Sequence, residues 1–286
     1  MINDDIQKQQ SGDNSTNLQA KSIVINQYSI TTDNAKTELL QLFIENMPIL
    51  RKIAFDVANE RAEELNNSFI NQIAKLEKDI VDKIYQRLSQ PDLQMAIFEA
   101  QKNYAKYGDK EKLEQFVKLL INKGMEDCNS LKNILLDEAI TTVAKITKTQ
   151  TDFLSYLIYK NWFYVDAKNI TELYEKHIRK ILAYASILTN LTHFDIGFLT
   201  QLNCVEASKF NIVDDNIIDI ITKQHGSKFG TCDEIKKELC KIDSSVADLI
   251  ERDKNFPTFY LKQVGVLIGT KNIEIKNNDF INILFN

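Results

Sequence analysis

The chain has 286 residues, 44% of them hydrophobic, and 35 Lys and Arg against 40 Asp and Glu give a formal charge of −5. That length allows one large or two ordinary domains with a substantial core, and the acidic balance excludes a general attraction to nucleic acid or to an anionic membrane. Eight Gly and three Pro are well under average usage, and few breakers beside many Leu, Ile, Lys, Glu and Asn argue for long helices.

Residues 1–32 read as a polar tail. Met1–Gln10 is acidic and polar, unlike a secretion signal, so the sequons at Asn14, Asn66, Asn169 and Asn190 carry no expectation and the cytoplasm is the expected location. Gly12-Asp13-Asn14-Ser15 reads as a turn. Leu18, Ala20, Ile23, Val24 and Ile25 favour extended structure, and Asn14, Gln19, Asn26 and Gln27 could stack as amide ladders between identical chains.

Asp33 reads as an N-cap, and Leu39, Leu40, Leu42 and Phe43 begin a helix that Pro48 is expected to interrupt. From Ile49 to about Leu88 there is no Gly or Pro. Ile53, Val57, Leu65, Phe69, Ile73, Leu76, Ile80, Ile84 and Leu88 form an amphipathic stripe. A helix of ~40 residues would be ~60 Å long, so this arm is expected to pack against another long helix or a second subunit, unless it breaks near Asn66-Asn67-Ser68.

Ser89 and Pro91 open the next helix, with Leu93, Ala96, Ile97, Ala100 and Tyr104 on one face and Gly108 at its end. Two more follow, around Leu113–Ile121 and Leu131–Ile146, separated by Gly124 and Asn129-Ser130. Phe153–Val165, "FLSYLIYKNWFYV", is apolar on most faces and reads as a central core helix, or as an interface hidden in an oligomer. It is too short to cross a bilayer and contains Lys160 and Asn161. Ile170–Leu188 is amphipathic, with Leu173, Tyr174, Ile178, Ile181, Leu182 and Ala185 inward.

After Leu191 the elements shorten. "THFDIGFLTQL" and Asp214–Ile221 read as short helices, the second closing at Gly226. Thr231–Glu234 fits a capping box, and Ser245–Asp248 a weaker one. "FYLKQVGVLIGTKNIEIK" fits a strand-turn-strand or a strand leading into a short helix. The expected class is mainly α: a β-prone tail over 1–32, a multi-helix bundle with long amphipathic helices over 33–190, and a small α-rich module over 191–286 that could form a winged helix.

Catalytic patterns are scarce. Cys128, Cys204, Cys232 and Cys240 form no C-x-x-C pair. His177, His193 and His225 are far apart, and His193-Phe194-Asp195 would not share a helix face. No metalloprotease, serine-hydrolase or phosphate-loop motif is present. Glu234-Ile235-Lys236 and Glu274-Ile275-Lys276 match the tripeptide of restriction-type nucleases, which those enzymes carry on a strand. No catalytic group, metal or cofactor is expected.

"GDNSTNLQAKSIVINQ" (Gly12–Gln27) looks like an N-terminal motif, G-x-N-S-x-x-x-Q-A-x-x-I-x-I, found on many bacterial proteins, and is similar to the amyloid signalling motifs of the HET-s-like kind. It is present in one copy, where the fungal type has two. With "ANERAEEL" (Ala58–Leu65), "PDLQMAIFEAQKNYAKYGD" (Pro91–Asp109), "LLDEAI" (Leu135–Ile140) and "LKQVGVLIG" (Leu261–Gly269), the chain resembles an uncharacterised bacterial family of helical proteins. The resemblance implies a stress, toxin–antitoxin or phage-defence setting, and no activity.

The expected function is therefore non-enzymatic assembly or protein contact. Asn14, Ser15, Gln19, Ala20, Ile23, Val24, Ile25 and Asn26 are the candidate pairing strand. The expected partner is another copy or a different protein, reached through this strand and the long helix; nucleic acid and, in the resting state, membrane are not expected. One alternative is a DNA-binding regulator using a C-terminal winged helix with Lys236, Lys237 and Lys241. Another is a membrane-perturbing effector using Phe153–Val165.

Overall fold

The computed structural model describes residues 32–207, 216–254 and 259–277. The chain divides into two units, Met1–Ala54 and Phe55–Asn286. The fold is mainly α, and among the described residues two three-residue strands are the β structure.

Helix α1 spans Thr32–Ile73 and supplies the described part of the first unit. It begins at Thr32, one residue before the expected cap, and it runs through Pro48. The expected interruption is corrected for a physical reason. Proline removes one intrahelical bond, to the carbonyl of Ile44. Pro48 and Ile44 are both exposed, so water can satisfy that carbonyl.

The expected arm from Ile49 to Leu88 is two helices, because α1 ends at Ile73 and α2 covers Lys78–Arg87. In the turn between them the Leu76 amide donates to the Ile73 carbonyl at 2.9 Å. The apolar stripe survives the break, since Leu76 and Ile80 both pack on the core.

In the second unit, α3 (Pro91–Tyr107) ends at Gly108, whose φ of 65° lies in the left-handed region. The Arg61 guanidinium covers this glycine and donates to the Ala105 carbonyl at 3.0 Å, satisfying a helix-end acceptor. Asp109 caps α4 (Lys110–Met125), accepting from the Glu111 and Lys112 amides. Gly124, expected to separate helices, lies inside α4 where Ile84 packs against it. Ser130 caps α5 (Leu131–Val143).

Helix α6 (Lys148–Asn161) is the centre of the core, with every residue from Gln150 to Lys160 buried. The amphipathic segment after it is broken into α7 (Ile170–Leu173), a π turn (Tyr174–Ile178), α8 (Arg179–Ala185) and α9 (Ile187–Asn190). Next come α10 (His193–Gln201), β1 (Val205–Ala207), α11 (Ile217–His225), a 3-10 turn (Gly226–Phe229), α12 (Cys232–Ile242) and α13 (Ser245–Lys254). Strand β2 (Phe259–Leu261) pairs antiparallel with β1, Glu206 opposite Tyr260, and leads into α14 (Gln263–Asn277).

Helix α14 lies on α6, α5 and α4. Two glycines permit the approach: a Cβ on Gly265 would run into the Cys204 carbonyl, and one on Gly269 would meet the Leu154 backbone at 2.9 Å. The Ser155 hydroxyl then reaches the Gly269 carbonyl at 3.2 Å.

Candidate interaction surface

The first half of α1 is unusual for the side chains it leaves in solvent. Leu39, Leu40, Leu42, Phe43, Ile44, Ile49 and Leu50 are between 43% and 70% exposed. They fall within one short stretch, "LLQLFIENMPIL", whose single charged residue is Glu45. Its Leu, Gln, Glu and Met residues favour the helix and there is no Gly, which works against the cost of Pro48.

At ~100° per residue the apolar positions from Leu39 to Ala54 cover about 180° of the helix, from Ile49 round to Leu40, with Ile44 beyond Arg51 at one edge, against the stripe of ~100° that suffices to face a core. Gln41, Glu45, Pro48 and Lys52 form a polar stripe opposite, with the Gln41 amide donating to Glu45 at 3.1 Å along it. Asn46 lies within the apolar arc, and its amide donates to the Leu42 carbonyl at 2.7 Å. An apolar helix face of that width is one that gets buried.

The interior of the second unit holds several titratable groups. The Asp253 carboxylate accepts from Lys160 Nζ at 2.7 Å, from the Tyr156 hydroxyl and from the Ile217 amide at 2.8 Å. Burial, with the Asp253 charge beside it, raises the Tyr156 hydroxyl well above its ordinary range. Asn272 donates to Asp152 at 2.9 Å and to Ser155 at 2.8 Å, and Lys276 pairs with the same Asp152. A cavity of about 510 Å³ lies where Leu76, Ile80, Ile121 and Met125 face Lys118, Lys271 and Glu274. Its charges are engaged with one another: Lys271 is 2.6 Å and Lys118 3.8 Å from Glu274. These groups fasten helices together, and no nucleophile among them touches a free base.

The other candidate motifs have structural roles. Asp195 closes a capping box with Thr192, so His193-Phe194-Asp195 is a helix start. Glu234-Ile235-Lys236 opens α12, and Glu274-Ile275-Lys276 lies in α14. Both tripeptides are therefore helical, where positions two apart do not share a face. Among the described residues no group of three or more His, Cys, Asp and Glu side chains is placed to hold a metal, and no helix is long and apolar enough to cross a membrane.

The expected pairing residues Asn14, Ser15, Gln19, Ala20, Ile23, Val24, Ile25 and Asn26 lie outside the described residues. By their spacing Leu39, Leu40, Leu42 and Phe43 mark only the start of a helix. The signal that could have marked them is the width of the apolar arc on both sides of Pro48.

A family model described only as ":-like" matches residues 29–230. Neither the curated proteins nor the solved structures provided a match.

Proposed function

This chain belongs to the family matched over residues 29–230, a span that includes the whole of α1, and on that premise we propose that it is a non-enzymatic interaction protein that assembles through the apolar half of that helix. The observation that carries the reading is the exposure of Leu39, Leu40, Leu42, Phe43, Ile44, Ile49 and Leu50. At roughly 150 Å² for a fully exposed large apolar side chain, they leave on the order of 600 Å² of apolar surface in water. That equals the upper end of the largest patch on an ordinary monomer, ~300–600 Å², and it is concentrated on one helix.

Covering it on one partner is worth on the order of 15 kcal/mol at ~25 cal/mol per Å², against association costs of ~4–15 kcal/mol. The two are of the same size, so a stable contact needs close packing over the patch as well as matching apolarity. In this reading the tail strand, Asn14 to Asn26, adds a second, backbone-pairing contact, the body acts in the cytoplasm, and a bacterial stress or defence role is the setting. The test is the mass of the full chain by light scattering, with Phe43→Lys/Leu50→Lys and a deletion of residues 1–30 as variants. Assembly that falls in the double variant with helicity kept is the expected result. A wild-type chain that stays monomeric and captures no protein through α1 overturns the reading.

A further inference from the structure

We infer that the occupant of the apolar half of α1 is two or more further copies of this chain, arranged so that each α1 touches a neighbour on either side. The inference rests on the assembly reading above and names its partner.

In a seven-residue frame Leu39, Phe43, Leu50 and Ile53 take the central positions that a two-stranded coiled coil buries. Such a pair would leave Leu40 and Met47 uncovered on one flank and Leu42 and Ile49 on the other. Two-stranded coiled coils carry Glu and Lys at these flanking positions, where they meet water. Here all four are apolar, and Leu40, Leu42 and Ile49 are 56–60% exposed. One partner helix covers the central seam and cannot also cover both flanks. Two neighbours can: Leu42 and Ile49 of one copy meet Leu40 and Met47 of the next. A contact between two different faces, repeated by rotation, closes into a ring when the rotation closes.

The area agrees. A single standard interface buries ~800 Å² per partner over polar and apolar surface together. Here on the order of 600 Å² of apolar side chain comes from a helix segment of about four turns, wrapped over about half of its circumference, with Arg51 at one edge. No single opposing helix presents a complement to so wide an arc, whereas the segment itself carries both matching flanks.

The polar stripe fits the outside of such a ring. Long helices curve with their convex side toward solvent, and Pro48 sits in the stripe, where the Ile44 carbonyl it leaves unbonded meets water. Asn46 faces inward. A single Asn at a central position fixes register at a cost in stability, and in parallel, aligned copies every Asn46 falls in one layer.

The experiment is analytical ultracentrifugation of the full chain over a wide concentration range, with two variants at exposed positions and far-UV circular dichroism to follow helicity. Three or more copies for the wild type, no more than two for Leu42→Gln/Ile49→Gln, and a monomer for Phe43→Gln/Leu50→Gln is the expected pattern. A wild-type dimer, or a flank variant that keeps the wild-type stoichiometry, overturns the inference while leaving assembly through α1 standing. A wild-type monomer that is also captured by no other protein through α1 overturns both. A monomer that sediments with phosphatidylcholine vesicles assigns the surface to lipid, and likewise overturns both.

Discussion

Lys160 Nζ lies 2.7 Å from Asp253 Oδ1 with both side chains buried, and the other oxygen of Asp253 accepts from the Ile217 amide at 2.8 Å. One carboxylate thus joins α6, α13 and the first turn of α11. A buried carboxylate is tolerated only when its lone pairs are filled, and Tyr156 supplies a further donor. The helix start adds the favourable end of its dipole.

Removing that carboxylate leaves a buried ammonium, a phenol and an amide unpaired. We expect Asp253→Ala to destabilise the fold by ~3–5 kcal/mol, the range for breaking one partner of a buried pair. Lys160→Met should cost less, since Tyr156 and the Ile217 amide still bond the carboxylate. Urea unfolding midpoints of the two variants check the order; equal or reversed losses would contradict it.

His177 should make the fold acid-sensitive. Its Nε2 donates to the Tyr159 carbonyl at 2.8 Å, and its Nδ1 has no partner among the described residues. Burial, with His225 and Lys180 nearby, lowers its pKa from 6.5 to about 4. His225 is lowered as well, by burial and by Lys228, with Asp166 opposing. Above the unfolded value neither state binds the proton, and the stability is fully present. Between pH 6.5 and about 4 the unfolded chain takes up the proton and the folded one does not. Stability therefore falls as pH falls through that window, by on the order of 3 kcal/mol for His177. His177→Gln should flatten the slope of unfolding free energy against pH; an unchanged slope would assign the acid sensitivity elsewhere.

Gly265 tests the seat of α14. A Cβ there runs into the Cys204 carbonyl, a backbone atom that cannot rotate away. Gly265→Ala should cost ~1–3 kcal/mol, the usual range for overpacking, although alanine is the better helix former. Gly197→Ala, where nothing lies within 4 Å, is the matched control and should be neutral or stabilising. Thermal midpoints of the pair decide it.

The capping box of α6 does more than close a helix end. The Thr147 hydroxyl accepts from the Gln150 amide at 3.2 Å, and the Gln150 side chain returns to the Thr147 amide at 2.9 Å. Gln150 also donates to Asp195 at 3.0 Å, which ties α6 to α10. Thr147→Ala should cost ~1 kcal/mol. Gln150→Ala should cost more, because it removes the cap and the link between helices and also leaves a cavity. Calorimetry on the two variants gives the comparison.

Much of the helical body was legible. Gly108, Ser130 and the Thr231–Glu234 box marked helix ends correctly, because a cap depends on its own residue and the next few amides; the Asp109 cap of α4 was missed. The apolarity of Phe153–Val165 marked the buried centre as far as Lys160, while Trp162 and Tyr164, past the end of α6, are exposed. The helix end at Ile73 and the passage through Pro48 were not legible. The first preserves an apolar stripe that reads the same with or without a turn, and the second depends on water reaching one carbonyl.

The sequence by itself determined a mainly α chain, several of its helix starts and the apolar centre of α6, all of which rest on contacts a few residues long. Only the tertiary structure decided which surfaces are covered. Asn272 and Lys276 in α14 are anchored by Asp152, and Gln115 reaches Asn272 from α4, pairings 120 to 157 residues apart that no local pattern encodes. Leu39 to Leu50 carry the same apolar signal as the core segments and are exposed, because burial depends on what packs against a helix as well as on what the helix is made of.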